Sequence, residues 1–92
     1  MNPDHKGHTE LADELAKAKT LITIGGKYRH YKDPAKIYQV KQLGIREEDD
    51  AICVIYQAQY GGHLTFIRPL AEWLDIVEWQ GSKVPRFKLL ES

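Results

Sequence analysis

The chain has 92 residues, 42% of them hydrophobic, and one cysteine, which allows a single domain with a small core. Its 13 basic and 13 acidic side chains cancel, which excludes a protein that coats nucleic acid or an anionic membrane by net charge alone. No segment has the pattern of a signal peptide or the length of a membrane span, so we expect a cytoplasmic protein.

The N-terminal region predicts one amphipathic helix. Residues 1–8 have the composition of a flexible tail, and Thr9 is the expected N-cap. Apolar side chains then recur every three or four residues along a helix that runs to about Lys19, at Leu11, Leu15, Ala18 and Ile22. Such a face covers either the chain's own core or a partner, and we expect the former, as in most small domains. We assign residues 1–24 to this tail and helix and residues 25–92 to a β domain.

After Gly25-Gly26 the hydrophobic pattern changes to a period of two, which is typical of β-strands. One strand is predicted over residues 38–43, with a bulge or bend at Gly44. The clearest strand is predicted over residues 51–60, where one face carries Ile52, Val54, Tyr56, Ala58 and Tyr60. Cys53, within this apolar run, is expected to be a small buried side chain.

The last third of the chain predicts further strands and one short helix. Gly61-Gly62 forms a turn into a strand over residues 63–68, and Pro69 begins a helix of one or two turns that we expect to plug the end of a barrel. A final pair of strands is predicted at residues 76–79 and 86–89. Short, bent strands with glycine corners predict an all-β fold, a small barrel of about five strands with the N-terminal helix added to it.

Charged residues are segregated along the chain. Residues 27–46 carry six basic side chains against one acidic residue, Asp33, and residues 47–50 are four consecutive acidic residues. Such blocks are usually solvated loops. The alternative is a positive face that binds an anion.

Five fragments, taken in order, resemble one known family. They are GKYRHYK at residues 26–32, YQV at 38–40, YQA at 56–58, FIRPL at 66–70 and VPRF at 84–87. Together they resemble the bacterial family catalogued as domain of unknown function 1653, from about Gly25 to Leu90. The resemblance implies an SH3-like small barrel, in agreement with the strand pattern, and no biochemical role is established for the family. Residues 46–50 depart from it, because members commonly have a His-Ser-Glu-Thr-like turn there.

The fragment from Tyr28 to Tyr31 is the first candidate for a binding site. In an extended strand Tyr28 and His30 point to one side and Arg29 and Tyr31 to the other, so one face can join the core while the other forms a site. A guanidinium beside an exposed tyrosine suits phosphate pairing and ring stacking. The alternative is that these side chains form barrel walls and structural pairs. We predict seven ligand-binding residues, of which the arginines at positions 68 and 86 are discussed next. They are Tyr28, Arg29, His30, Tyr31, Tyr56, Arg68 and Arg86.

Two further arginines adjoin prolines, Arg68 before Pro69 and Arg86 after Pro85. The rigid backbone of proline helps to aim a long side chain, so these arginines and Arg29 form one predicted cradle for an anion. Alternatively, they tie corners of the barrel to backbone carbonyls or to the carboxylates of Glu72, Asp75 and Glu78. The sequence leaves both alternatives open.

These residues favour a binding module over an enzyme. His30 is suited to acid–base catalysis at neutral pH, but no serine or cysteine lies in a setting typical of a nucleophile. His5 and His8 lack a cysteine partner for a metal site, so we expect neither a metal nor a cofactor.

The leading hypothesis is an anionic, aromatic ligand such as RNA, single-stranded DNA or a nucleotide. One alternative is a protein-interaction module in which Trp73, Leu70 and the helix of residues 9–20 face a partner, which an exposed Trp73 would favour. The other is a small hydrolase or transferase that acts on a nucleotide through His30.

Overall fold

The computed structural model describes residues 7–91. Along this part of the chain the elements follow in the order α1 (His8–Leu21), β1 (Lys27–His30), β2 (Asp33–Arg46), β3 (Ala51–Ala58), β4 (Thr65–Pro69), α2 (Leu70–Trp73), β5 (Ile76–Trp79), β6 (Ser82–Pro85) and β7 (Phe87–Glu91). The predicted, mostly β fold with an added N-terminal helix is confirmed. Neither described helix is long and apolar enough to cross a membrane.

Helix α1 covers the core of its own domain, as expected. It begins two residues earlier than predicted, because the Leu11 N–H donates to the carbonyl of Gly7 over 3.0 Å. Gly7 is therefore the N-cap, without a side-chain hydrogen bond, and the prediction of Thr9 at this position is wrong. Packing takes the place of the missing cap, and the side chains that reach the core are Leu15, Ala18 and Ile22.

Five strands form one antiparallel sheet in the order β4-β3-β2-β1-β7. Strand β2 is 14 residues long and pairs with both β1 and β3. Its register shifts at Lys41, so Val40 and Leu43 are both buried although they are three residues apart. The bulge predicted at Gly44 is wrong, since Gly44 pairs in register with β3. One extra residue on a strand moves every later side chain to the opposite face, which places Leu43 in the core.

Strands β5 and β6 form a separate hairpin. Their turn consists of Gln80 and Gly81, whose φ angles of 51° and 82° are both positive, as a two-residue type I′ turn requires. The prediction that residues 76–79 pair with residues 86–89 is therefore wrong, because such a short turn leads the chain directly back through Ser82–Pro85. Strand β7 instead joins the main sheet beside β1. This arrangement brings the hairpin and β7 to the same end of β1.

An aromatic cluster fills the core. Trp73, at the end of α2, is only 2% exposed, and its ring stacks on Phe87 with centroids 3.7 Å apart and planes 5° apart. It also meets Tyr28 and Tyr56 edge to face, at 5.2 Å and 4.9 Å. Helix α2 therefore places Trp73 in the core, and closure of the end of a barrel by this helix stays a prediction. Cys53 is buried, which confirms its prediction as a buried side chain. Strands β4 and β7 are the two edges of the main sheet, and an SH3-like barrel stays a prediction.

Candidate functional site

Two of the predicted ligand-binding residues belong to the core. Tyr28 is 5% exposed and Tyr56 is 6% exposed. The Tyr28 hydroxyl accepts a hydrogen bond from the Thr23 N–H over 3.0 Å, and the Tyr56 hydroxyl lies 3.5 Å from Nε of Arg68. Both rings face inward with partners for their hydroxyls. The prediction that they stack on a ligand is wrong, because both side chains lie on the inner faces of β1 and β3 and pack in the core.

The two arginines next to prolines tie parts of the fold together. The Arg86 Nε–H donates to the carbonyl of Glu72 over 3.1 Å, and Nη2 lies 3.4 Å from a carboxylate oxygen of Asp75. Nη1 of Arg68 lies 3.7 Å from the carboxylate of Glu72, and the Arg68 guanidinium lies 5.6 Å from the centroid of Phe87. The structural alternative therefore holds for both residues. Arg68 and Arg86 do not line the cavity that Arg29 lines, and anion binding by the three arginines together stays a prediction.

The other three predicted residues, Arg29, His30 and Tyr31, come together at one cavity of about 450 Å³. This volume lies in the range of small-molecule sites, about 300–1,000 Å³. The strand pairing described above supplies the rest of the cavity lining, which was not predicted: Pro34, Trp79, Val84, Pro85 and Lys88. Recognition of Gln80-Gly81 as a two-residue turn would have placed β6 beside β5, whereas the pairing of β7 with β1 that adds Lys88 has no local signal in the sequence.

An aromatic corner forms one side of the cavity. The rings of Tyr31 and Trp79 meet edge to face, with centroids 5.3 Å apart and planes 80° apart, and both side chains are half-buried. In such a pair the edge of one ring contacts the face of the other. The faces of the first ring therefore stay available for stacking with a further flat group. The ring of His30 packs against Tyr31 at 4.6 Å and against Phe87 at 5.2 Å, which links the corner to the core.

Two cations face each other at the cavity. Arg29 on β1 and Lys88 on β7 are direct partners in the strand register, and both line the cavity. Like charges placed opposite one another destabilise a sheet. Across residues 7–91, neither side chain makes a hydrogen bond or an ion pair, and no acidic residue lines the cavity. The site therefore carries positive charge without a counter-charge.

The surroundings of His30 favour its neutral form, because they lower its pKa. Burial lowers its pKa below the usual range, and the nearby charges of Arg68, Arg86 and Lys32 lower it further. Its Nδ1 accepts a hydrogen bond from the Lys32 N–H over 3.2 Å, which places the ring proton on Nε2. The nitrogen that a general base would use is thus occupied. The residues that line the cavity include no serine, cysteine, threonine or carboxylate.

The basic residues of segment 27–46 do not form one continuous positive face. Arg46 makes a two-pronged ion pair with Asp49 in the acidic turn, with distances of 2.9 Å and 2.6 Å. This hydrogen bonding lowers the pKa of Asp49 to about 2. Lys41 donates to the side chain of Gln39. Arg46 is therefore neutralised within the acidic turn, whereas Arg29 of the same segment lines the cavity.

The described residues contain no group of three or more His, Cys, Asp or Glu side chains placed to hold a metal ion. His8 is exposed on α1. His5, considered with it in the sequence, lies outside the described residues.

Comparison with known proteins identifies a family but no activity. Residues 26–89 match the family model described as "Protein of unknown function (DUF1653)". The chain is similar to a DUF1653 protein from Bordetella bronchiseptica with a known crystal structure, at 30% sequence identity and a TM-score of 0.65, over 73% of this chain and 86% of that one. A search of curated proteins finds no significant match. Every residue that lines the cavity lies inside the matched region, whereas helix α1 precedes it.

Proposed function

Because the chain belongs to DUF1653, a family of unknown function, we propose a function from its own cavity: the protein is a binding module for a nucleotide unit. The phosphate binds between Arg29 and Lys88, and the base packs in the corner of Tyr31 and Trp79. We also propose that the protein is bacterial and cytoplasmic and that its β domain is an SH3-like barrel. These properties are predictions from the sequence.

The facing pair of Arg29 and Lys88 carries the proposal. The repulsion between these two cations costs the free protein stability, in the range of about 0.2–1 kcal/mol for a cross-strand pair. A phosphate between them replaces this repulsion with charge-assisted hydrogen bonds, and the fork of a guanidinium suits phosphate oxygens. The pair is therefore better explained by an anionic ligand than by stability.

The remaining lining supports an aromatic ligand rather than a bare anion. Pro34, Val84 and Pro85 form apolar walls beside the two rings, a surface that an inorganic ion would leave unused. Stacking of a base on an aromatic side chain contributes about 1–3 kcal/mol. With the cost of association subtracted, we expect one nucleotide to bind with a Kd on the order of 0.1–1 mM.

The two alternatives from the sequence receive less support. The cavity lining offers His30 neither a nucleophile to activate nor a carboxylate partner, which disfavours a hydrolase or transferase. The burial of Trp73 removes the aromatic anchor of an interaction module. Binding without chemistry fits the lining best.

An NMR titration with adenosine monophosphate tests the proposal. The chain has two tryptophans, whose indole N–H signals separate the cavity from the core. We expect the Trp79 signal to shift and the buried Trp73 signal to stay, and we expect adenosine and inorganic phosphate each to bind at least about tenfold more weakly, since each makes half of the contacts.

A matched pair of variants provides the control. Arg29→Gln removes a cavity charge, whereas Arg46→Gln removes the same charge from the acidic turn. We expect the first to weaken nucleotide binding and the second to leave it unchanged. Equal affinities for the two variants, or a silent spectrum at millimolar nucleotide, would refute the proposed site.

A further inference from the structure

A second aromatic and basic pair lies beside the cavity. Pro34 lines the cavity, and Lys36 follows two residues later on β2, in a stretch where the pairing of β2 with β1 is irregular. Its Nζ lies 5.3 Å from the centroid of the Tyr60 ring. We call these two residues the Lys36–Tyr60 pair. It repeats the combination of ring and cation found in the cavity.

The ring of Tyr60 is held firmly in this position. The backbone N–H of Gln59 donates to the carbonyl of Ile37 over 2.8 Å, which fixes the end of β3 against β2. The hydroxyl of Tyr60 lies 2.6 Å from that of Tyr38, and the two rings meet edge to face at 5.5 Å. A ring fixed before binding loses little entropy when a base stacks on it.

Lys36 keeps most of its charge available. Its nearest carboxylate, that of Asp33, is 3.8 Å away, and the two side chains are 51% and 48% exposed. An ion pair this long and exposed contributes little, so a phosphate can displace it at small cost.

We infer that the ligand is single-stranded nucleic acid, with one nucleotide in the cavity and a following nucleotide on the Lys36–Tyr60 pair. The inference rests on the proposed function and adds the polymer to it. Lys36 is two residues from Pro34 of the cavity wall along β2, so a strand with one nucleotide in the cavity can present a neighbouring phosphate and base to this pair. A free nucleotide would leave this pair unused.

The test compares adenosine monophosphate with an adenylate tetranucleotide on the full chain, by NMR titration at several salt concentrations. One additional stacked base predicts that the tetranucleotide binds about 5- to 150-fold more tightly. The logarithm of its association constant should fall with log salt at a slope of about −1.4, from two phosphate contacts at about 0.7 each.

Three variants and one control locate the effect. Tyr60→Leu should remove most of the gain from the tetranucleotide, whereas Tyr60→Phe, which keeps the ring, should retain it. Lys36→Gln should reduce the salt slope by about 0.7, and Lys17→Gln, an exposed lysine on α1, should leave it unchanged. Lys36 is exposed, so its variant tests the inference even if Tyr60→Leu fails to fold.

The outcomes separate the inference from the proposed function. If the monophosphate binds at Trp79 but the tetranucleotide binds no more tightly, the inference is wrong and the nucleotide site stands. If neither ligand binds, the proposed function fails as well. If a hexaglutamate peptide competes as well as the tetranucleotide, the surface recognises charge alone and the inference is overturned.

Discussion

Replacement of Trp73 by alanine should remove a large part of the stability of this protein. The indole packs on three aromatic rings, those of Phe87, Tyr28 and Tyr56, and each such pair contributes about 0.5–1.5 kcal/mol beyond its buried area. A buried tryptophan truncated to alanine costs about 3–5 kcal/mol. A domain of 92 residues has a total free energy of unfolding of about 5–14 kcal/mol, so the variant loses at least about a fifth of it.

Urea unfolding followed by far-ultraviolet circular dichroism measures this loss without relying on the tryptophan signal. With a urea slope of about 1–2 kcal/mol/M, the midpoint should fall by about 1.5–5 M. Trp79→Ala is the matched control, because Trp79 is half-buried and contacts one ring, Tyr31. Its cost should be about 1–2 kcal/mol, while nucleotide binding is lost. Equal costs for the two variants, or a loss below about 1 kcal/mol for Trp73→Ala, would refute the assignment of Trp73 to the core.

Three further predictions concern charge, pH and backbone conformation. Lys88→Gln should leave the free energy of unfolding unchanged or raise it by about 0.2–1 kcal/mol, because it ends the repulsion from Arg29; a clear loss in urea unfolding would contradict the repulsion. Burial and neighbouring cations lower the pKa of His30, so the unfolded chain binds this proton more tightly, and stability should fall as the pH drops below about 6.5 towards the folded pKa. The unfolding midpoint of His30→Gln should therefore change less between pH 7.5 and 5.5 than that of the wild type; an equal change would exclude His30 as the source. Gln80→Asn should raise the Tm by about 2–4 °C, because asparagine tolerates a positive φ and Asn-Gly suits the type I′ turn with Gly81; an unchanged Tm would mean that Gln80 is not strained.

The long periodic elements were predictable because their apolar spacing depends on the local chain alone. Helix α1 and strand β3 bury the side chains that their patterns indicate, among them Ala18, Ile22 and Val54. Two predictions of strand register were wrong, the bulge at Gly44 and the pairing of residues 76–79 with residues 86–89. Each depends on a single residue that leaves no periodic signal in the sequence. The bulge at Lys41 reverses the faces of β2, and the turn at Gln80 has no asparagine or aspartate at its first position to signal it.

Only part of the candidate site was predicted, because the local sequence pattern does not show which face of a strand joins the core. The strand from Tyr28 to Tyr31 carries an aromatic residue on each face, so its sequence does not say which face joins the core. The structure places Tyr28 inside, against Trp73, and Tyr31 outside, against Trp79. Trp79 and Lys88 come from distant segments, and only the pairing of β7 with β1 brings Lys88 opposite Arg29.

The zero net charge of the chain is compatible with an anion site because its cations differ in their partners. Three arginines, Arg46, Arg68 and Arg86, have carboxylates within 4 Å, and those pairs tie turns and helix α2 to the sheet. Arg29 and Lys88 are not paired in this way in the described chain and share one cavity. Acidic residues thus neutralise the structural cations and leave the cavity positive. We expect local charge of this kind to act over about one Debye length, roughly 8 Å at physiological salt, so the proposed attraction of an anionic ligand should weaken as the salt concentration rises.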